Sequence, residues 1–414
     1  MKVLSRNAIL TLIGLLALAS GSLRANETAT LNRLGNGGAA FDAPVALRRE
    51  HVEREIEFFL KGYSGVPLND SCRECINEST LSSQMQRVGV FDVGSTGIRL
   101  MGADVDMQTG SVKPFCLFEY SLPFGLSDDD SLRRLAAIAA MRNIIESSYC
   151  SPNGIEFKAV ATAGFRAAGE KGYALAQEIE RVTGVEFEII DQDREGTLAF
   201  LGANLEYPHA DMSNVVVWDI GGGSMQITMM GEDSSLIMAG CEIAARTFLM
   251  ETLSRVKGSA LVSTPNPLSP QEVETSIALA KDLLLGKFQD SSLKSFDEEQ
   301  LGLIQTRVQS QEYVLGVGGV HARIVLPSIR AITGKDISAY TPELLFMTIQ
   351  IMVECQFDDY RIKELLSVSD DSVSSILTSL ILVYATLELL DIREVHVLDI
   401  NNTQGLLAEY VRMI

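Results

Sequence analysis

Two short loops of one design hold the residue types best suited to chemistry. Asp92-Val93-Gly94-Ser95-Thr96-Gly97 follows the apolar run Val88-Gly89-Val90-Phe91, and Asp219-Ile220-Gly221-Gly222-Gly223-Ser224 follows Val215-Val216-Val217-Trp218. A strand that delivers an aspartate into a glycine turn can hold a hydrated divalent cation. The turn itself, bare of side chains, lets backbone N–H groups approach phosphate oxygens. One such loop is equally an ordinary Asx-capped turn; two in one chain predict half-clamps facing a single phosphate chain. Asp92 and Asp219 are then the expected metal carboxylates, acting through water on Mg²⁺ or Ca²⁺. Gly94, Ser95, Thr96 and Gly97, with Gly221, Gly222, Gly223 and Ser224, are the expected phosphate cradle. Arg99 supplies a guanidinium for a terminal phosphate, and Ser224 a hydroxyl near the attacking water.

Three further stretches fit that chemistry less specifically. Ala161-Thr162-Ala163-Gly164-Phe165-Arg166 ends a strand and also reads as a plain strand-to-helix turn. Its Arg166 is a candidate to stabilise charge on a transferred phosphoryl group. Asp191-Gln192-Asp193-Arg194-Glu195-Gly196 opens a helix, where acidic residues also complement the helix dipole. Hydrolysis needs one base to orient water, and either Glu195 or Asp193 is placed in the chain for that duty. Asp193 is also a candidate third metal carboxylate. Gly316-Val317-Gly318-Gly319-Val320 either lines a distal part of the site, through Gly318 and Gly319, or lets a helix pack tightly on a strand. His321 beside it reads as structural.

These residues need elements to position them. Strands are expected at 88–91, 98–105 and 112–119, then a helix over 131–147, a strand over 158–161, a helix over 173–182, a strand over 185–190 and a helix over 193–204. The scheme restarts with strands over 215–219, 225–230 and 235–239 and helices from Ala244 and Pro270. A strand and glycine turn over 313–319 follow, and a mainly helical tail closes with a strand over 394–398 and a helix over 404–412. Three antiparallel-type strands followed by alternating helix and strand, twice over, predict a duplicated α/β protein with its active-site cleft between the domains. The expected boundaries are 1–25 for a leader, 26–85 for an N-terminal extension, 86–190 for a first domain completed by 395–414, and 191–394 for a second domain.

The 414 residues carry 34 basic and 54 acidic side chains, a formal charge of −20. Such a surface repels nucleic acid, anionic membranes and long polyphosphate, so an anionic substrate must be held by local backbone donors and a metal. No nucleic-acid partner is expected, and a homodimer stays open. Lys2, Arg6, an apolar stretch over 8–19 and small residues near Ala19 and Ala25 form a secretory leader pattern, although a buried N-terminal helix would look similar. The stretch is too short to span a bilayer. A periplasmic or secreted protein, cleaved near Ala19 or Ala25 and without a stable membrane anchor, is the expectation. The other apolar run, 376–390, carries Thr378, Ser379, Thr386 and Glu388 and reads as a buried core helix. Cys72, Cys75, Cys116, Cys150, Cys241 and Cys355 permit three disulfides in an oxidising compartment. No zinc site is expected from the four scattered histidines.

At its loops the sequence resembles the exopolyphosphatase/guanosine pentaphosphatase (Ppx/GppA) branch of the actin-like ATPase superfold. It is also similar to the ectonucleoside triphosphate diphosphohydrolases. Asp92 to Gly97 resembles the first phosphate-binding motif, with a Ser-Thr-Gly closer to the nucleotidases, and Asp219 to Ser224 resembles the second. Ala161 to Arg166 is similar to the nucleotidase signature Ala-Thr-Ala-Gly-Met-Arg, with Phe165 for methionine. Glu195, in Arg-Glu-Gly, falls where both families keep the carboxylate that activates water. Some exopolyphosphatases have a further glutamate where this chain has Ala163. The Arg-Glu pair of their C-terminal segment is absent from Asp399-Ile400-Asn401-Asn402-Thr403-Gln404-Gly405-Leu406-Leu407. The resemblance implies duplicated actin-like (ribonuclease H-like) domains and a metal-dependent phosphoanhydride hydrolase, secreted if the leader pattern holds. It would remove terminal phosphate from polyphosphate or nucleoside polyphosphates by water attack. The alternatives are an apyrase-like nucleoside triphosphate diphosphohydrolase acting on ATP and ADP, or a non-catalytic phosphate or nucleotide sensor.

Overall fold

The computed structural model describes residue 54 and residues 84–412 apart from 96, 123–124, 149–153, 208–209, 260–262, 311–312 and 369. All of these belong to one compact unit. The expected leader and the extension with Cys72 and Cys75 therefore lie outside the described residues, Arg54 excepted, as do Thr96, Cys150 and the side chain of Cys116.

The run that carries Asp92 becomes β1 (Met85–Val93), the middle strand of a five-stranded sheet. Its last seven residues are all buried, as befits a strand covered on both faces. Arg87 is among them because its guanidinium pairs with Asp104 at 2.7 and 2.9 Å. The sheet order is β3-β2-β1-β4-β5, with β2 (Gly97–Asp106), β3 (Val112–Ser121), β4 (Ile155–Ala161) and β5 (Glu186–Ile189). The pairs β1–β2 and β2–β3 are antiparallel, and β1–β4 and β4–β5 are parallel. Helices α1 (Asp128–Ser148), α2 (Ala163–Ala167) and α3 (Glu170–Thr183) make the crossovers.

The second Asp-Gly run becomes β6 (Val215–Ile220), in a six-stranded sheet ordered β10-β11-β9-β6-β7-β8. Here β7 is Met225–Met230, β8 Leu236–Cys241, β9 Tyr313–Val317, β10 Ala339–Tyr340 and β11 Val395–Val397. Read as β8-β7-β6-β9-β11, five of its strands repeat the first sheet in order and in direction of pairing. The expected duplication is thus present strand for strand. β10 is an added antiparallel edge of two residues, too short to leave any periodicity in the sequence.

Helix α4 (Gln192–Glu206) joins the two halves and packs on β7 and β8. Asp191 caps it, accepting the Arg194 N–H at 2.8 Å. The C-terminal helix α5 (Asn402–Arg412) lies against α4, β1 and β2. A Cβ on Gly405 would come 2.2 Å from the Leu198 carbonyl oxygen, so the two helices meet backbone to backbone. The segment 395–414, expected to complete the first half, therefore divides. β11 finds its hydrogen-bonding partners in the second sheet, and only α5 reaches the first.

The helical tail supplies the second core. Its long apolar helix, Ile376–Leu390, is buried over most of its length, and among the described residues no helix is long and apolar enough to cross a membrane. His321 sits fully buried in that core. Its Nδ1 is 2.7 Å from the Tyr340 hydroxyl, Trp218 packs edge-on at 4.6 Å, and burial pushes its pKa down to about 3. A neutral, enclosed imidazole is structural. Two of the cysteines expected to form disulfides are free thiols: Cys241 is buried and pushed up to about 12 by that burial, and Cys355 is exposed.

Candidate active site

Both Asp-Gly turns are built alike. The Gly94 N–H donates to the Gly97 carbonyl at 2.9 Å, and the Gly221 N–H donates to the Ser224 carbonyl at 3.1 Å. Each turn ends its strand at the same side of its sheet, and the two line one cleft of about 630 Å³. Asp92, Ser95 and Arg99 face it from the first half, and Asp219, Gly222, Gly223 and Ser224 from the second. Glu195 enters from α4 and Asn402 from α5. The shared cavity that the paired loops predicted is present.

The glycines divide by what crowds them. A Cβ on Gly223 would sit 2.9 Å from the Ala163 Cβ, so the second loop and the Ala161–Arg166 stretch touch only because both residues are small. Gly318 has φ +82, and a Cβ there would lie 2.2 Å from Asp219 Oδ1. Between lining the site and easing a helix onto a strand, Gly318 and Gly319 do the former, since both line the cleft. Gly97 departs from the expected cradle. It does not line the cleft, and its missing side chain makes room for the Tyr120 carbonyl, 2.8 Å from where a Cβ would be. Gly94 and Gly221 line the cleft, but their N–H groups are engaged within their own turns.

Asp92, Asp219 and Glu195 line this cavity, Asp92 and Glu195 buried and Asp219 partly exposed. Asp92 accepts the Asn402 Nδ2–H at 3.3 Å and lies 3.5 Å from Arg99 Nη1. Asp219 is raised to about 8, first by burial and then by the charges of Glu195 and Asp92, with Arg99 opposing. Glu195 accepts Arg166 Nη2–H at 2.9 Å, the Ser224 hydroxyl at 3.3 Å and Gln226 Nε2–H at 3.5 Å. Burial raises its pKa, and the adjacent Arg166 guanidinium works against that rise.

The donor set fits a hard, hydrated cation. Carboxyl oxygens of Asp92, Asp219 and Glu195 share the cleft, and the buried Asn402 Oδ1 has no hydrogen-bond partner. All available donors are oxygens, the preference of Mg²⁺ and Ca²⁺. Among the described residues no group of three His, Cys, Asp or Glu side chains is placed to hold an ion.

Besides Gly97, two more expected site residues are placed elsewhere. Asp193 is exposed on α4 and does not line the cleft. Residues two apart on a helix point to opposite sides, so a helix that buries Glu195 must expose Asp193. Arg166 does not line the cleft either. Its guanidinium is committed to Glu195, to the Ser224 hydroxyl at 3.3 Å and to the Ile190 carbonyl at 2.7 Å. It holds the carboxylate from behind and is a positioning residue for Glu195. Thr96 lies outside the described residues.

Sequence reasoning missed Asn402, Gln226 and Arg134. Arg134 is buried on α1 and braces the first loop by donating to the Ser95 carbonyl at 3.3 Å and the Gly125 carbonyl at 2.7 Å. Asn402 is 310 positions from the aspartate it touches. No local pattern announces such a pair.

The sequence profile of the Ppx/GppA phosphatase family matches residues 126–412 of this chain. Among curated proteins none matches. A crystal structure of an exopolyphosphatase-like protein is similar with a TM-score of 0.61 and 16% identity, covering 80% of this chain and 99% of that one. An exopolyphosphatase from Cytophaga hutchinsonii is similar at 0.60 and 14%, again over 80% and 99%. The Aquifex aeolicus member of the Ppx/GppA family is similar at 0.57 and 18%, over 80% and 98%. At these identities the likeness is one of fold.

Proposed function

The chain belongs to the Ppx/GppA phosphatase family and has its duplicated actin-like fold, and from that premise we propose a metal-dependent phosphoanhydride hydrolase acting by water attack. It would remove the terminal phosphate of polyphosphate or of a nucleoside polyphosphate, outside the cytoplasm if the leader pattern is used. The observation that carries this reading is Glu195. It is the buried carboxylate that shares a cavity with both Asp-Gly turns, and Arg166 and Ser224 hold it in one orientation.

Asp92 and Asp219 would hold the cation through waters, and the cation would neutralise charge on the phosphoryl oxygens. Ser95, Gly222, Gly223 and Arg99 would bind and orient the phosphates. Glu195 would orient the water and take its proton, and burial, which raises its pKa above the ordinary carboxylate range, strengthens it as a base. No side chain is needed as a covalent phosphate acceptor. Glu195→Gln keeps the shape and removes the base; turnover should fall about a hundredfold or more, while inorganic phosphate binding persists. Full phosphate release by this variant on polyphosphate, ATP and ADP would refute the assignment.

The uncharged part of the cleft lining favours a second reading, a short nucleotide as substrate. It includes Leu122, Ile324, Val368 and Ile376 and the hydroxyl residues Ser367 and Ser375. Such a lining suits a base and a ribose better than a run of phosphates, and the charge of −20 disfavours a long polyanion. Phosphate release from ATP and ADP, and not from long-chain polyphosphate, is the outcome this reading requires. Binding of either without release would make the protein a sensor.

A further inference from the structure

One carboxylate in the cleft has no role in the chemistry above. Glu119, on the edge strand β3, faces Arg99 across the β2–β3 pair and accepts its Nε–H at 3.1 Å. The other Glu119 oxygen pairs with Arg323 Nη1. Arg323 belongs to the opposite half, in a single turn of π-helix (His321–Val325) that follows the Gly318-Gly319 turn. All three side chains line the same cleft as Asp92 and Asp219. Arg99 ties this group to the site, since its Nη1 is 3.5 Å from Asp92 Oδ2 and its Nη2 is 3.4 Å from where a Gly319 Cβ would be.

We infer that Glu119 is an internal stand-in for a substrate phosphate, occupying a two-arginine seat formed by Arg99 and Arg323 until an anion displaces it. The inference rests on the reading that this cleft binds phosphates.

Two guanidiniums from opposite halves converge on a group with one charge and two oxygens. A phosphate has a greater charge and more acceptor oxygens, so it satisfies both forks better than Glu119 does. The other anion near Arg323 is Asp399, 3.9 Å away and largely exposed, too distant and too hydrated to replace the central carboxylate. Arg323 is also shifted down, by burial and then by the neighbouring Arg99 cation, as expected for two positive groups held close together. Glu119 lowers that repulsion in the ligand-free chain and ties β3 to the π-turn across the cleft. Anion binding must break the tie, so Glu119 weakens affinity and filters out ligands with too little charge to compete.

The test is calorimetric binding of inorganic phosphate to the full chain at one ionic strength, alongside phosphate release from ATP and tripolyphosphate. Glu119→Gln should tighten phosphate binding by about twofold to fivefold, the range for an exposed charge pair. Arg323→Gln should weaken it by a similar factor. In the double variant the Glu119→Gln gain should be smaller than in the wild-type background. Glu119→Asp, too short to span both guanidiniums, should tighten binding partially and guards against a folding defect in the amide variant. Unchanged or weaker binding by both Glu119 variants, with melting temperatures like the wild type, overturns the inference. If these shifts occur in a chain that hydrolyses nothing, the hydrolase reading falls and the seat stands. Normal hydrolysis with no effect at Glu119 removes the seat and leaves the hydrolase reading standing, and no phosphate binding by any chain removes both.

Discussion

At the proposed metal site a cation and a proton would compete for Asp219, and the size of that competition follows from its surroundings. Burial and the charges of Glu195 and Asp92 raise the group from the ordinary aspartate value of 3.8 to about 8 in the metal-free cavity. A cation held through this carboxylate must displace the proton, so each pH unit below about 8 weakens binding about tenfold. From pH 8 to pH 6 the apparent Mg²⁺ affinity should fall about fiftyfold. The same shift has a stability sign. The folded chain holds this proton more tightly than the unfolded chain between pH 4 and pH 8, so metal-free stability falls as pH rises through that window. From pH 5 to pH 8 the loss is on the order of 3 kcal/mol, and saturating Mg²⁺ should offset it. Calorimetry at pH 6, 7 and 8, with thermal melts with and without Mg²⁺, measures both effects, and Asp219→Asn should abolish them. An Mg²⁺ affinity that is flat from pH 6 to pH 8 would refute the reasoning about Asp219.

Three other outcomes test separate parts of the site. Arg166→Gln removes the cation that opposes burial at Glu195, so the acid limb of the rate profile should move to higher pH; an unmoved profile with lower turnover would mean that Arg166 only supports the fold. Gly318→Ala places a methyl 2.2 Å from Asp219 Oδ1 at a φ of +82, and Mg²⁺ affinity should drop at least tenfold, while Gly302→Ala, where a Cβ meets nothing within 4 Å, should leave it unchanged. Gly405→Ala drives a methyl into the Leu198 backbone, and chemical denaturation should show a loss of about 2 kcal/mol or more.

Much of this arrangement was legible because it is local. The two Asp-Gly turns, the strands that deliver them and the duplicated order all leave a signal within a few residues, and the structure places them as that signal implies. Which acidic residue of the 191–196 stretch enters the cleft was legible only to within two positions. Asp193 and Glu195 are equivalent as composition, and only the rotation of α4 about its axis separates them. Arg166 has the right type and neighbourhood for a phosphoryl contact, yet its donors are taken up by Glu195, Ser224 and Ile190. That is a fact of packing and invisible in a linear pattern. Asn402 and the Glu119–Arg323 tie were hidden for a simpler reason. Each is a contact between segments far apart in the chain, and neither segment carries a motif.

The close approach of Gly405 to Leu198 has a consequence for how the protein moves. Glu195 lies at the start of α4, Asn402 at the start of α5, and the two helices touch backbone to backbone between them. The two helix starts are therefore braced as one block, so Glu195 and the asparagine that hydrogen-bonds Asp92 must shift together, their spacing intact, if one half of the chain moves against the other.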